Sequence, residues 1–225
     1  MISIDTVYQK VLALANKEQR GYITPQEFNL FADQAQKEIF EQYFYDLNQF
    51  VRTSSNSEEY SDIVHNLNEK ISVFEDTSTI SSTGIINKND FYRLGTVIYD
   101  ETVEVEEVQQ NEILYINKSP LASPTLDRPV YVRTGEKTID THPSITTDLT
   151  CTYVRIPTKP SWGYVVVSGR AMYDSSNTTH FELHVSEENE LIYKILKFAG
   201  LSLSRDDLAK GGQGLESMQV QQEKQ

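Results

Sequence analysis

Residues 22–51 read YITPQEFNLFADQAQKEIFEQYFYDLNQFV, and this stretch predicts a long amphipathic helix. Thr24 is placed to cap the helix, Pro25 suits the first helical position, and Glu27 follows the cap by three residues, which makes a capping box. Apolar residues then recur with the helical period over about seven to eight turns. The rest of the chain must pack on the broad apolar face that results.

That apolar face is rich in aromatic side chains and is the candidate contact surface. One interpretation is a core helix buried within the chain. The competing interpretation is that part of the face packs against another protein or a neighbouring copy. The positions predicted to carry this packing, some of it between subunits, are Phe28, Phe31, Phe40, Tyr43 and Phe44.

The bulk composition limits the classes of function. The chain has 225 residues, enough for one or two domains with a real core. Its formal charge of -13 argues against wrapping a nucleic-acid backbone, although DNA could pass an acidic surface without sticking. No run approaches the roughly 20 apolar residues of a membrane span, and the N-terminus resembles neither a signal nor a transit peptide. We therefore expect no membrane partner and no export.

The single cysteine, Cys151, rules out an internal disulfide and a cysteine-based metal cluster. Its neighbours alternate between apolar and polar, so we expect a buried cysteine on a strand rather than a nucleophile.

Further helices are predicted on both sides of a β-rich region. They lie at residues 3–16, after a cap at Asn56 or Ser57, and from Ser186 to a C-cap at Gly200. Short links between the first helices favour antiparallel neighbours.

Between these helices, short segments rich in Val, Ile, Thr and Tyr alternate with turn residues. Strands are expected at residues 73–80, 91–99, 102–108, 112–116, 129–133, 149–156, 163–168 and 181–185. Because the segments are too close for βαβ crossovers, they predict an antiparallel sandwich or barrel-like sheet.

The predicted fold class is therefore α+β: a helical bundle base formed by N-terminal and C-terminal helices, an inserted antiparallel β domain and a flexible tail. The expected divisions are an N-terminal helical part at 1–72, the β domain at 73–185, a C-terminal helix packing on the helical part at 186–204, and an arm at 205–225. The arm is rich in Gly and Gln, and either stays disordered or orders on a partner.

Two polar clusters are candidates for chemistry. His180, Glu182 and His184 lie two apart, so a strand would place them on one face, where they could hold zinc. The alternative is that these polar side chains lie on the solvent-exposed face of an edge strand. Glu104 and Glu106 alternate with valines, which predicts a solvated acidic face rather than an acid–base pair or a calcium site.

Motifs for phosphate binding, dinucleotide binding, zinc proteolysis and serine hydrolysis are absent from the sequence. We therefore expect no enzyme, no catalytic residues, no cofactor and no metal. Trp162, in a segment stiffened by Pro157 and Pro160, is expected to anchor a turn onto the sheet.

Four passages together carry a resemblance. They are the helix at 22–46, PVYVRTG at 129–135, YVRIPTKPSWGYVVV at 153–167, and FELHVSEENELIYKILKFAGLSLSRDDL at 181–208 with the Gln-rich tail behind it. These passages resemble virion structural proteins of tailed bacteriophages, especially the head–tail adaptor and ring proteins of short-tailed phages, including the crAss-like group.

The resemblance implies a homo-oligomeric ring, a dodecamer, between portal and tail at the portal vertex of the virion. The implied partners are the portal protein, other tail or ring proteins, and DNA that passes through the lumen without sequence-specific binding during packaging and ejection. Before assembly the protein would be in the host cytoplasm. Loops at 119–128 and 159–163 are candidates for contacts with the next tail layer.

Other functions remain open at this point. The chain could have another virion role, as a tail-fibre attachment or capsid-associated protein. It could be a metal-binding or hydrolytic module built on His180, Glu182 and His184. It could also be a host-side binding module that never enters particles.

Overall fold

The computed structural model describes residues 1–16, 23–52, 58–202, 213–214 and 217–218. The helices are α1 (Ile4–Asn16), α2 (Pro25–Arg52), α3 (Glu58–Ser72), α4 (Ile113–Ile116) and α5 (Glu188–Ser202). The strands are β1 (Glu75–Ile80), β2 (Phe91–Tyr99), β3 (Val103–Glu107), β4 (Val130–Arg133), β5 (Ile139–His142), β6 (Leu149–Arg155), β7 (Tyr164–Val167) and β8 (Arg170–Tyr173). The α+β class is confirmed. The predicted caps at Asn56 and Ser57 and most of the arm at 205–225 lie outside the described residues.

Helix α2 begins with the predicted capping box. The backbone N–H and the hydroxyl of Thr24 both donate to Glu27 Oε2, at 2.9 and 2.8 Å, and the Glu27 N–H donates back to Thr24 Oγ1 at 3.2 Å. The backbone bond, with the hydroxyl bond second, holds the pKa of the Glu27 carboxyl below its usual range. The helix ends at Arg52, also as predicted.

The chain divides into two compact units. The first joins Met1–Val73 to Pro157–Gln225, and the second is Phe74–Ile156. In the first unit, α5 contacts α1 and α2, and α2 also contacts α3. The core of this unit uses the apolar faces that the helical period predicts, since Val7, Phe28 and Ile195 are fully buried.

The second unit is built on a curled, mixed six-stranded sheet of order β1-β6-β2-β3-β4-β5. Its neighbours pair antiparallel except β3 and β4, which are parallel, so the prediction of antiparallel pairing is wrong for that pair. Parallel neighbours need a crossover of a dozen or more residues. Residues 108–129, which include α4, provide it.

At two of the predicted positions the structure has no strand. The predicted strand at 112–116 is instead helix α4 (Ile113–Ile116), in which Ile113 is buried and Tyr115 is exposed. Residues 181–185 form no strand: Phe181 makes an isolated bridge to Ile2, and a 3-10 turn follows at Val185–Glu187. Both segments have the apolar composition of strands, but neither lies beside a partner long enough to form a ladder.

The ends of the last helix also differ from the prediction. Helix α5 begins at Glu188, after the 3-10 turn, and Gly200 lies inside it rather than at its C-cap. Strands β5 and β8 were not predicted. Each has four residues, which is near the lower limit at which alternation can be recognised.

Strand β6 contributes two buried titratable side chains to the sheet core. Cys151 is fully buried on this strand, as predicted, and burial raises the pKa of its thiol. Tyr153 stacks on Phe91 with ring centroids 5.9 Å apart, and its hydroxyl donates to Asp76 Oδ2 and Asp90 Oδ1, both at 3.4 Å. Burial, reinforced by the two carboxylates, raises the pKa of Tyr153 to about 12.

The alkaline titration of Tyr153 gives a first testable prediction. The folded state holds a proton that the unfolded chain releases near pH 10, so this stabilisation is complete below about pH 10 and is lost as the pH rises toward 12. Phenolate absorbance of the wild type minus that of Tyr153→Phe should show one phenol titrating near pH 12. Tyr45→Phe is the control for losing an exposed phenol. A difference curve centred near pH 10 would contradict the buried environment.

Candidate functional site

Among the described residues of the first unit, several exposed apolar side chains lie together on the hairpin formed by β7 and β8. Its strands pair antiparallel from Tyr164 opposite Tyr173 to Val167 opposite Arg170. The turn residues Ser168 and Gly169 have φ values of 51° and 77°. Positive φ at both positions is the requirement of a type I′ turn, whose twist matches that of the strands. The Ser-Gly pair is a turn signal from which β8 could have been predicted.

This segment, residues 164–173, is called the apolar hairpin below. Val165, Val166 and Met172 are 52%, 63% and 57% exposed. Because successive strand residues point to opposite faces, both faces of the sheet expose apolar side chains to water. A two-stranded sheet is marginally stable alone, and a contiguous exposed apolar patch marks an interaction site.

Hydrogen bonds of Trp162, which precedes the apolar hairpin, hold the base of the hairpin in place. The Trp162 N–H donates to Asn29 Oδ1 at 2.7 Å, Asn29 Nδ2 donates to the Trp162 carbonyl at 3.3 Å, and Trp162 Nε1 donates to Asp5 Oδ1 at 3.0 Å. Asn29 lies on α2 and Asp5 on α1. Trp162 was predicted to anchor a turn onto the sheet; it anchors the turn onto two helices as well, while its ring contacts both strands of the hairpin.

The Trp162 ring connects these helices to the first pair of the hairpin. It lies 4.3 Å from the ring centroid of Tyr8 on α1, and 5.9 and 5.8 Å from those of Tyr164 and Tyr173. Such aromatic contacts contribute about 0.5–1.5 kcal/mol each beyond the area they bury. The first residue pair of the hairpin therefore packs in an aromatic cluster with Trp162 and Tyr8.

At the base of the hairpin, the backbone of Gly163 lies close to the backbone of residues 174–177. A Cβ at this position would lie 2.6 Å from the carbonyl oxygen of Asn177 and 2.7 Å from that of Asp174, so only glycine fits. The Gly163 N–H donates to Thr178 Oγ1 at 3.1 Å, and the Asp174 N–H donates to the Gly163 carbonyl at 2.9 Å. The base of the hairpin is therefore tightly built, whereas its far end is exposed.

The predicted aromatic contact residues lie mostly inside the first unit. Four of them are buried, with exposures of 7% or less: Phe28, Phe40, Tyr43 and Phe44. The fifth, Phe31, is half-buried. These four can pack within the subunit but present little surface to a neighbour, so Phe31 is the one of the five predicted residues that could contribute to a subunit contact.

The three side chains of the hypothetical zinc site serve separate hydrogen bonds. The Ile4 N–H donates to His180 Nδ1 at 3.3 Å, the Thr158 N–H donates to Glu182 Oε2 at 2.8 Å, and His184 caps the 3-10 turn behind it. The predicted common face is wrong because the segment is not a strand. Within the described part of the chain, no group of three or more His, Cys, Asp or Glu is arranged to hold a metal ion.

A second surface lies in the second unit, between β3 and the crossover at 108–129. Strand β3 buries Val105 and exposes Glu104 and Glu106, as the alternation predicts. A cavity of about 860 Å³ opens beside it, and its rim includes Leu121, 97% exposed. Five carboxylates and one guanidinium line it: Glu104, Glu106, Glu107, Glu112, Asp127 and Arg128. We call it the acidic groove, and the predicted contact loop at 119–128 forms much of its wall.

Comparison with protein-family models finds none that matches the chain, and comparison with curated proteins finds no matching relative. Of the helices in the described ranges, none combines the length and apolar character needed to cross a membrane.

Proposed function

We propose that this chain is a structural virion protein that forms a homo-oligomeric ring, a head–tail connector between portal and tail around the DNA channel. The observation that carries the proposal is the apolar hairpin, anchored at its base to α1 and α2 and exposed on both faces. A rigidly held apolar element loses its contact with water when a protein partner covers it. In the assembled ring the partner is a neighbouring subunit.

The charge balance supports the location around a DNA channel. The chain carries 33 acidic and 20 basic residues, a formal net charge of -13. A negative lumen repels phosphates, so DNA slides past without sequence-specific binding. The resemblance to adaptor proteins of short-tailed phages supports the same location, and a structural rather than catalytic role.

The first test is to count the chain in purified particles of the phage that encodes it. Quantitative mass spectrometry should find a low, fixed copy number relative to the major capsid protein, as a ring at one vertex requires. Absence of the chain from particles would overturn the proposal.

The second part of this test asks whether the hairpin carries assembly. Val166→Asp places a charge at a 63% exposed site, so it should leave the unfolding free energy within about 0.5 kcal/mol of the wild type. Its incorporation into particles should fall by about tenfold or more, because burying an unpaired charge in an interface is costly. The matched control is Leu30→Asp on α2, at a 60% exposed site. Equal incorporation of Val166→Asp and wild type would remove the hairpin from the contact.

A further inference from the structure

We propose that the apolar hairpin of one copy docks into the acidic groove of the neighbouring copy. This inference rests on the proposed ring, and it names the two surfaces that meet. The occupant of the groove is a second copy of this chain.

Charge complementarity is the first argument. The hairpin sequence YVVVSGRAMY contains one charged residue, Arg170, which is exposed at the start of β8 beside the turn. The acidic groove offers five carboxylates against one guanidinium. A guanidinium entering this groove meets a strongly negative field, and it can form paired hydrogen bonds with a carboxylate.

The apolar surfaces match as well. The groove is lined not only by carboxylates but also by Val103, Val108, Ile116 and Leu121. Its volume of about 860 Å³ falls within the range of roughly 300–1,000 Å³ found for pockets that bury drug-sized ligands. That space accommodates the few side chains at the end of a hairpin, here Val166, Val167 and Arg170. Contact would cover apolar groups on both partners that are otherwise exposed.

The pairing also has the symmetry that a ring needs. Hairpin and groove are different surfaces, so each copy can insert its own hairpin into one neighbour and receive a hairpin from the other. Such head-to-tail contacts form a ring when the rotation between copies closes, whereas a contact between two hairpins would be self-complementary and would end at a dimer. The hairpin supplies fewer residues than the roughly 20–30 per side of a standard interface, so the contact is one part of the ring interface.

A cross-linking experiment on the full chain tests the docking. Val166→Cys and Leu121→Cys variants are mixed and mildly oxidised, in solution and in particles assembled from both; the native Cys151 is buried. We expect the mixed disulfide dimer at several times the yield of either variant alone. The control partner is Tyr45→Cys, at a 64% exposed site. Adding Arg170→Glu to the Val166→Cys chain should reduce the mixed dimer about fivefold, and Glu104→Lys in the partner should restore part of it.

The outcomes separate this inference from the proposed function. Dominant cross-linking of Val166→Cys to itself, or no enrichment over the Tyr45→Cys control in either setting, overturns the docking. If the chain is nevertheless present in particles at a low fixed copy number, the ring survives and only the contact is wrong. Absence from particles overturns the ring itself.

Discussion

Replacing Trp162 with alanine should destabilise the first unit by about 3–5 kcal/mol and release the apolar hairpin from its base. Trp162 is 5% exposed and lies against three tyrosine rings, so the substitution leaves a large cavity. It also removes the donor to Asp5 Oδ1. The decrease should appear in urea unfolding followed by circular dichroism. Limited proteolysis should cut within residues 164–173 faster than in the wild type.

Two controls separate the anchor from the exposed end of the hairpin. Trp162→Phe keeps an aromatic ring but loses the indole N–H, so it should cost less than alanine, and about 1 kcal/mol of its cost should come from the lost hydrogen bond. Val166→Ala, at an exposed site, should stay within about 0.5 kcal/mol of the wild type. A Trp162→Ala variant that is as stable as Val166→Ala would show that the aromatic cluster does not hold the hairpin.

The elements that were predictable from sequence are those specified by local interactions. Helix α2 was predicted at both ends because the Thr24–Glu27 capping box and the apolar period act within a few residues. Strand β2 has the predicted bounds, because a segment rich in aromatic and β-branched residues follows the turn residues at 87–90. Helix α4, in contrast, has the composition of a strand. Its Ile113 packs with Val130 and Val132, a contact that no local pattern shows.

The candidate site depended on contacts that are distant in sequence. A stiff, anchored turn around Trp162 could be predicted from its composition, but the partners could not, because Asn29 and Asp5 lie 133 and 157 residues away. The parallel pairing of β3 with β4 is equally remote from any local signal. The hairpin itself could have been found from the Ser168–Gly169 pair. Its exposure was not predictable, because whether Val165 and Val166 are covered depends on which other elements pack over the hairpin.

Replacing Lys70 with methionine should cost about 3–5 kcal/mol, because it leaves the carboxylate of Glu187 buried without its counter-charge. Lys70 Nζ on α3 lies 2.6 Å from Glu187 Oε1, and the two side chains are 19% and 1% exposed. The ammonium also lies 5.7 Å from the ring centroid of Tyr43 on α2. One ion pair thus ties α3 to the turn that leads into α5. The loss should be measured by urea unfolding at neutral pH.

The matched control for Lys70→Met is Lys37→Met, which breaks an ion pair with Asp33 within α2. There the side chains are 52% and 14% exposed, so the cost should be at most about 1 kcal/mol. The double variant Lys70→Met with Glu187→Leu should recover most of the lost stability, since an apolar pair of similar size needs no desolvation of charge. Equal costs for Lys70→Met and Lys37→Met would show that the Glu187 carboxylate is well solvated. A double variant as unstable as Lys70→Met would instead assign the loss to packing against Tyr43.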